Sequence, residues 1–463
     1  MVSLRIPLVA ALVVAGLAQN VAQAIDLDLN NTDSIKAAAS TVADGMMKFY
    51  IGNLPGQTPG LLQPPYYWWE AGAMWGQLIE YWHYTGDSTY NDVVQEALLF
   101  QSAPTKDYMP VNQTKSEGND DQLFWAFAVM SAAETLFPNP PQDQPQWLAL
   151  AQAVFNQQIS RWNPELCGGG LRWQIYNFNI GWNYKNAISN GGLFQLSARL
   201  ARYTLHQTYA DWAEKVYDWM AQSPIMVTNS SSYDVYDGVT TDHNCSAADV
   251  EKVLWTYNIG TMINGCAYMY NYQTNGSNVW AERLNGFING SSVYFPNGDV
   301  MDEISMDQCQ VTNACTQDQP SYRAYLARWL ATTTQMAPYT FNHIAPLLQA
   351  SAKGAAGQCS GGDDGKTCGR NWTSTEWDGY TGVGEQMSAL SVIQSNLVST
   401  AAAPAGQDNG GTSEGDPGAG IVDPNVHDMR PITTVDKAGS WVLTGVMLLV
   451  LMAGAISMGY GDD

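Results

Sequence analysis

The sequence has little positive charge and little histidine. It holds 20 Lys and Arg against 43 Asp and Glu, a formal net charge of -23, and five His in 463 residues. Binding to nucleic-acid phosphates needs clustered Lys and Arg, so this balance argues against a nucleic-acid partner. The histidines share no metal-ligand spacing, so no zinc site and no cofactor are expected; they are His83, His206, His243, His343 and His427.

Convincing runs of alternating apolar and polar residues are also missing between about residues 32 and 400. The apolar spacing there is helical instead. It predicts twelve helices, at residues 33–51, 69–85, 88–102, 120–137, 145–160, 186–206, 208–222, 254–272, 276–290, 321–336, 340–353 and 383–400.

The links between these helices alternate in length. Each even helix is followed by about two to seven residues and each odd helix by roughly 17 to 32, and short links join antiparallel neighbours. This alternation predicts an all-α (α/α)6 barrel of six helix hairpins, with the even helices inside. All the long loops then lie at the N-termini of the even helices. An open helical solenoid is the alternative.

Both ends of the chain carry processing patterns. An apolar run over residues 8–17, followed by Ala22-Gln23-Ala24, predicts a signal peptide at 1–24. At the other end no Lys or Arg follows the uncharged stretch 441–460, as a single-span anchor would require. A polar segment at 401–436 is interpreted as a flexible linker, and the hydrophobic tail at 437–463 as a GPI-attachment signal, with a retained tail-anchor helix as the alternative.

Two further patterns fit a secreted chain. Cysteine pairs are expected at Cys309/Cys315 and Cys359/Cys368, with Cys245/Cys266 as a third, which leaves Cys167 without a role. Seven sequons for N-glycosylation are present, at Asn30, Asn112, Asn229, Asn244, Asn275, Asn289 and Asn371.

The starts of the even helices are rich in aromatic, amide and acidic residues. Flat aromatic faces stack on sugar rings, so these positions predict a sugar-binding rim. Helix starts also need polar caps, which is the structural alternative for each of them. The candidate binding residues are Trp69, Glu70, Asn119, Gln122, Trp182, Asn183, Tyr184, Lys185, Tyr257, Asn258 and Glu385.

The strongest catalytic candidates are the adjacent carboxylates Asp120 and Asp121. Glycosidic bonds are cleaved by two carboxyl groups, one ionised and one protonated. The helix dipole favours an ionised carboxylate at a helix start, and that charge raises the pKa of its neighbour. The alternatives are a double helix cap or a calcium site, but no Asp-x-Asp-x-Asp-Gly loop surrounds the pair.

The motif Gly118-Asn119-Asp120-Asp121-Gln122 with Trp125 resembles the catalytic motif of glycoside hydrolase family 76, the α-1,6-mannanases, and in particular its GPI-anchored fungal cell-wall branch. Further segments similar to that branch lie at residues 67–72, 182–191, 255–258 and 384–386. The resemblance covers about residues 30 to 400. It implies an (α/α)6 catalytic domain at 25–400 and a retaining mechanism, with Asp120 as nucleophile and Asp121 as general acid/base.

The same resemblance implies a substrate and a location. The expected enzyme cuts α-1,6-mannosides in the GPI-core glycan and transfers GPI proteins to cell-wall β-glucan, at the outer face of the plasma membrane and in the wall. A plain endo-α-1,6-mannanase that hydrolyses mannan is one alternative. A non-catalytic mannan-binding protein of the wall is the alternative from another class, and it would be expected to lack one of the two carboxylates.

Overall fold

The computed structural model describes residues 24–273, 278–296, 299–306, 316–374 and 376–421, together with Trp441 and residues 444–448. The chain divides into two compact units, residues 1–420 and 421–463, and the helices and the cleft below belong to the first. Several predictions fall outside the described residues: the signal peptide up to residue 23, Asn275, the Cys309/Cys315 pair, the end of the linker and most of the tail.

Twelve α-helices account for most of the described part of the first unit. Their bounds follow most of the predicted segments closely. The first helix ends earlier than predicted, the eleventh ends later, and the last continues as a 3-10 turn at Ser395–Leu397. The helices are α1 (Thr32–Met47), α2 (Trp68–Thr85), α3 (Asn91–Gln101), α4 (Asn119–Glu134), α5 (Trp147–Ser160), α6 (Ala187–Thr204), α7 (Gln207–Gln222), α8 (Thr256–Tyr272), α9 (Asn278–Gly290), α10 (Tyr322–Met336), α11 (Phe341–Gln358) and α12 (Val383–Gln394).

The even helices form a closed inner ring in the order α2, α4, α6, α8, α10, α12 and back to α2. They are buried on nearly all faces, whereas outer helices such as α7 bury a single stripe. Small residues allow the close approach inside the ring: a Cβ on Gly76 would lie 3.1 Å from the Cα of Ala128. The predicted all-α barrel is confirmed, with the even helices inside.

The loops, as far as the structure describes them, contain seven short strands: β1 (Tyr184–Asn186), β2 (Met226–Thr228), β3 (Tyr233–Val235), β4 (Gly238–Thr240), β5 (Val250–Glu251), β6 (Cys359–Gly361) and β7 (Thr367–Cys368). Two or three residues are too few to show an alternating pattern, so the sequence does not predict them. β1, β4 and β5 form one antiparallel sheet. This sheet joins the loop before α6 to the loop before α8 at the end where the even helices begin.

The disulfides differ in part from the predicted pairs. Cys359–Cys368 is confirmed, but Cys245 pairs with Cys167 across 78 residues. The predicted Cys245/Cys266 pair is therefore wrong, and Cys167 is not left over. Cys266 is a free thiol, fully buried on α8 in the core, while Cys167 and Cys245 lie in the loops at the sheet end.

The polar segment that follows α12 packs against the barrel as far as Gly420. The amide of Ala405 donates to the carbonyl of Glu134 at 2.7 Å, and the Ser413 hydroxyl accepts from the amide of Leu148 at 3.0 Å. Farther along, side-chain amides of α5 hold the segment, because Asn156 donates to the carbonyl of Ala419 at 2.8 Å. Residues 401–420 therefore belong to the packed unit and are not the linker that their composition suggests.

Six of the seven predicted glycosylation sites lie within the described residues, and all six asparagines are exposed. Glycan attachment at these positions stays a prediction. No helix within the described ranges has the length and apolar character needed to cross a membrane.

Candidate active site

An open cleft of two chambers lies where the even helices begin. The first chamber, about 260 Å³, is lined by Trp69, Asp120, Asp121, Phe124, Trp173, Tyr184, Asn186, Asp237, Trp255, Tyr257, Asp318, Gln319 and Tyr322. The second chamber, about 380 Å³, is lined by Tyr67, Trp68, Trp69, Gln113, Ser116, Glu117, Asp121, Trp173, Gln174, Thr316 and Asp318. Four residues line both: Trp69, Asp121, Trp173 and Asp318.

The start of α4 places the two aspartates in this cleft. Gly118, the N-cap, has an extended backbone and forms a bridge with Gln174. The next amide, of Asn119, donates to the carbonyl of Trp173 at 2.8 Å, and Trp173 in turn donates to the carbonyl of Tyr184 at 2.7 Å. These backbone bonds fix the first turn of α4 against β1, so the position of Asp120 does not depend on a flexible loop.

Asp120 and Asp121 have different hydrogen-bond partners. Asp120 accepts from the side-chain amide of Asn186 at 3.3 Å and from the backbone amide of Asp121 at 3.1 Å. Asp121 accepts from the backbone amide of Gly118 at 2.6 Å, as the third residue of a helix often does. Asp120 lines the first chamber only, whereas Asp121 lines both.

Burial raises the pKa of both carboxyl groups, and the charge of Asp120 raises the pKa of Asp121 further. The bonds from Asn186 and from backbone amides oppose the rise in the pKa of Asp120. Two carboxyl groups this close do not ionise together, so the first proton leaves Asp120 and Asp121 retains its own. The pair can therefore supply one carboxylate and one carboxylic acid at the same pH.

Two more carboxyl groups complete an acidic wall. Asp237, between β3 and β4, accepts from the Tyr184 hydroxyl at 2.8 Å and from the Asn258 amide at 3.4 Å. Burial raises the pKa of Asp237, and its charge raises the pKa of Asp120. Burial also raises the pKa of Asp318 to about 6. Among the described residues that line the chambers there is no Lys, Arg or His, so nothing there offsets this negative charge.

Aromatic rings form the remaining walls. Tyr257 and Tyr322 stack with ring centroids 4.0 Å apart and an interplanar angle of 8°. Trp69 packs against Phe124 at 4.5 Å, and Trp173 lies at the boundary of the two chambers. Flat aromatic surfaces beside carboxyl groups suit sugar rings, whose faces are apolar and whose edges carry hydroxyls.

The structure brings five of the predicted site residues into the cleft: Asp120, Asp121, Trp69, Tyr184 and Tyr257. The other eight do not line it. Trp182 lies outside, under the Arg172 guanidinium at 4.5 Å, and exposed Asn183 donates to Asp242 at 2.8 Å.

Six predicted binding residues are buried and hold the framework. Glu70 caps α2 by accepting from the Tyr67 amide, and Glu385 pairs with Arg370 at 2.5 Å. The reason is general: a helix start needs polar partners whether or not it binds a ligand. The remaining four are Asn119, which donates to the Arg172 carbonyl; Gln122, which donates to the Asp107 carbonyl; Lys185, which donates to the carbonyls of Asn163, Leu166 and Gly169; and Asn258, which donates to Asp237.

Sequence reasoning missed several cleft residues. Asn186 and Tyr322 stand at even-helix starts, so the rule that found Trp69 applies to them as well. Asp237 and Asp318 lie in long loops that have no periodic pattern. The one signal for them was that these loops are predicted at the same end of the barrel as Asp120 and Asp121. Within the described ranges no group of three His, Cys, Asp or Glu is arranged to hold a metal ion.

Comparison with known proteins identifies the family of the chain. The model of Glycosyl hydrolase family 76 matches residues 34–408. The chain is 47% identical over 434 residues to mannan endo-1,6-α-mannosidase DCW1 of Saccharomyces cerevisiae, covering 94% of this chain and 95% of that protein. The crystal structure of Dfg5 from Chaetomium thermophilum in complex with glucosamine has a TM-score of 0.80 at 43% identity and covers 85% of this chain and 97% of that one.

A more distant structure shares the fold. It is an inactive variant of the α-1,6-mannanase GH76A of Salegentibacter in complex with α-1,6-mannotriose, with a TM-score of 0.61 at 19% identity, covering 78% of this chain and 99% of that one. The helical barrel, the family match over most of the chain and the relative at 47% identity agree. The chain is a glycoside hydrolase and belongs to glycosyl hydrolase family 76.

Proposed function

We propose that this chain is a retaining enzyme that cleaves α-1,6-mannosides and transfers the glycosyl group to a second sugar. The observation that carries the proposal is the unequal placement of the two aspartates. Asp120 lines only the first chamber, and Asp121 lines both. In a retaining glycosidase the nucleophile contacts only the donor sugar, whereas the acid/base contacts the oxygen shared by donor and leaving group.

The first step follows from this placement. The carboxylate of Asp120 attacks the anomeric carbon of a mannosyl unit in the first chamber. The glycosidic C–O bond breaks, and the proton of Asp121 passes to the leaving oxygen, so the leaving sugar departs neutral from the second chamber. The result is a covalent glycosyl ester on Asp120.

The second step reverses the roles. Asp121, now ionised, removes a proton from a hydroxyl in the second chamber, and that oxygen attacks the anomeric carbon. The ester bond breaks and Asp120 is released as a carboxylate. With water as acceptor the product is a free mannoside, and with a sugar hydroxyl it is a new glycoside.

The substrate and acceptor are proposed from different observations. The name of the S. cerevisiae relative, mannan endo-1,6-α-mannosidase, supports an α-1,6-mannoside donor. The second chamber supports a sugar acceptor, because Tyr67, Trp68, Trp69 and Trp173 give it aromatic walls that water does not need. We propose the GPI-core glycan as donor, cell-wall β-glucan as acceptor, and a GPI anchor at the outer face of the plasma membrane.

The test offers an α-1,6-mannotetraose or GPI-core glycan donor to the purified protein with and without a β-glucan oligosaccharide. A glucan-linked product detected by mass spectrometry, with the α configuration retained by NMR, is the expected outcome. Free mannosides alone would support the plain endo-α-1,6-mannanase instead. Binding of mannan without turnover would support the non-catalytic alternative.

A further inference from the structure

Glu117 is a buried carboxyl group without partners in the wall of the second chamber. Its side chain is 1% exposed, and neither carboxyl oxygen accepts or donates a hydrogen bond within the described residues. Its backbone is fully used, since the amide donates to the Gln113 carbonyl at 2.9 Å and the carbonyl accepts from the Ile175 amide at 3.4 Å. The backbone of Glu117 is therefore held firmly in place, while its carboxyl group has no hydrogen-bond partner.

Other buried carboxyl groups in the described chain accept a hydrogen bond at one oxygen at least, including Glu70 and Asp318, whose second oxygen has none. Glu134 accepts from Arg199, Glu385 from Arg370, and Glu303 from the amide of Thr256. A buried polar group without a hydrogen bond destabilises the folded chain, because it has lost its bonds to water and gained none. Such an exception in a cleft wall indicates a partner that arrives with the ligand.

The surroundings of Glu117 favour its neutral form. Its pKa is raised to about 8, because burial raises the pKa by more than the nearby Arg161 guanidinium lowers it, and the charge of Asp107 adds a smaller rise. A protonated carboxyl group donates one hydrogen bond and accepts others, as a sugar hydroxyl also does. Hydroxyl and amide side chains also line the part of the second chamber that is not shared with the first. They belong to Tyr67, Gln113, Ser116, Gln174 and Thr316.

The place of Glu117 along the reaction path is also defined. It precedes the N-cap Gly118 of α4, so it lies three residues before Asp120 and lines only the chamber on the Asp121 side. The sugar that leaves in the first step, and the sugar that attacks in the second, occupy this side because both exchange a proton with Asp121.

We infer that Glu117 is a specificity residue that hydrogen-bonds a hydroxyl group of the leaving sugar and of the acceptor sugar in the second chamber. This inference rests on the proposed retaining mechanism. It assigns to Glu117 a binding role and no part in bond making or breaking.

The test compares two donors that differ only in the leaving group. An α-1,6-mannobiosyl fluoride releases fluoride and places no leaving sugar in the second chamber, whereas α-1,6-mannotriose does. The measured quantity is the ratio of kcat/KM for mannotriose to kcat/KM for the fluoride, together with the acceptor KM in transfer. Glu117→Leu removes the hydrogen bond to the leaving sugar and the one to the acceptor sugar. We expect it to lower the ratio about five- to tenfold and to raise the acceptor KM by a similar factor.

Two control variants separate binding from structure. Glu117→Gln keeps a donor and an acceptor, and we expect its ratio to stay within about twofold of wild type. Asp107→Asn removes the other acidic group near Arg161 without touching the chamber. Because burial is the main cause of the raised pKa of Glu117, Glu117 stays protonated in this variant and the ratio should remain close to that of wild type. If the ratio is unchanged in Glu117→Leu, or falls equally in Asp107→Asn, the inference is wrong.

Failure of the proposed function can be distinguished from failure of the inference about Glu117. A wild-type protein that turns over neither donor would overturn both the mechanism and the role of Glu117. A wild type that hydrolyses mannotriose without transfer would overturn only the transfer proposal. The donor ratio would still decide the role of Glu117 for the leaving sugar.

Discussion

Buried carboxyl groups in the cleft wall and at the opposite end of the inner ring have opposite surroundings. Toward the end opposite the cleft, Glu134 on α4 receives two bonds from Arg199 to one oxygen, at 3.1 and 2.6 Å. Glu80 on α2 receives bonds from Arg328 at 2.8 and 2.7 Å. In the cleft wall the carboxyl groups of the catalytic pair, Asp237 and Asp318 accept from amides and hydroxyls, and no Lys, Arg or His among the described residues lines the chambers with them. Glu385, which is buried at the start of α12 and does not line the cleft, has a cation in Arg370.

This difference shows what decides the ionisation of a buried carboxyl group. A guanidinium in bidentate contact offsets the loss of hydration, so the ion pair can remain charged inside the barrel. Without a cation, burial raises the pKa, as it does for Asp120, Asp121, Asp237 and Asp318. The paired carboxyl groups at the end opposite the cleft support the fold, and the carboxyl groups of the cleft wall keep a proton available for chemistry.

The largest expected effect comes from removing either carboxyl of the catalytic pair. Asp120→Asn removes the nucleophile and Asp121→Asn the acid/base. A general acid/base contributes about 10²–10⁴-fold, so Asp121→Asn should lose about that factor in kcat. Asp120→Asn, which cannot form the covalent intermediate, should lose at least as much. Steady-state rates on an α-1,6-mannoside measure this.

The melting temperature is the control for these two variants. Each substitution relieves repulsion between neighbouring carboxyl groups, so the melting temperature should stay equal to that of wild type or rise. Full activity in both folded variants would return the aspartates to the role of helix caps.

The next largest effect concerns the paired carboxyl groups at the end opposite the cleft. Glu134→Gln leaves the guanidinium of Arg199 buried without its counter-charge, which typically destabilises a protein by about 3–5 kcal/mol. Denaturant unfolding measures the change in free energy, and kcat at a temperature where the variant is folded should remain near wild type. A loss of kcat without a loss of stability would contradict the division between the two ends.

The packed segment 401–420 offers a smaller perturbation of the same end. A chain of residues 25–400 loses the bonds of Ala405 to Glu134 and of Ser413 to Leu148 that a chain of residues 25–421 keeps. Each such bond contributes about 0.5–1.5 kcal/mol, so the shorter chain should be about 1–3 kcal/mol less stable. Equal unfolding midpoints for the two chains would show that the segment adds nothing.

The smallest expected effects sharpen the electrostatics of the cleft end. The acid limb of the pH–rate profile follows ionisation of Asp120. Asn186→Ala removes a bond that lowers the pKa of Asp120, so this limb should move to higher pH. Asp237→Asn removes a charge that raises the same pKa, so the limb should move to lower pH.

The position of the limb is the readout for this pair of variants, because both residues line the cleft and kcat can fall in either case. Shifts in the same direction would contradict the assignment of the acid limb to Asp120. The alkaline limb, which follows loss of the proton from Asp121, serves as the internal reference.

Much of the fold was predictable because it depends on local periodicity and loop length. The helical spacing of residues 69–85 predicted α2, and the structure confirms it. The alternation of short and long links predicted a ring of helix hairpins, which is also confirmed. The failures were non-local. Cys167 finds Cys245 only after two loops meet, and the segment after residue 400 packs on α5 although its composition resembles a linker.

The site was predictable to the extent that it depends on helix starts. Asp120, Asp121, Trp69, Tyr184 and Tyr257 were found in this way. The same rule also selected Lys185 and Glu385, because a residue that caps or braces a helix looks like one that faces a ligand. Only side-chain direction separates the two, and that is set by neighbours distant in sequence.

The sequence by itself determined the helical barrel, the end at which the long loops gather and the acidic pair at the start of α4, because periodicity, link length and helix capping are local properties. The tertiary structure decided which carboxyl groups have a cation. Asp237 reaches Asp120 through a sheet between two loops, whereas Glu134 meets Arg199 across neighbouring helices. Ionisation depends on these long-range contacts, so the chemistry of each acidic residue is fixed only when the chain is folded.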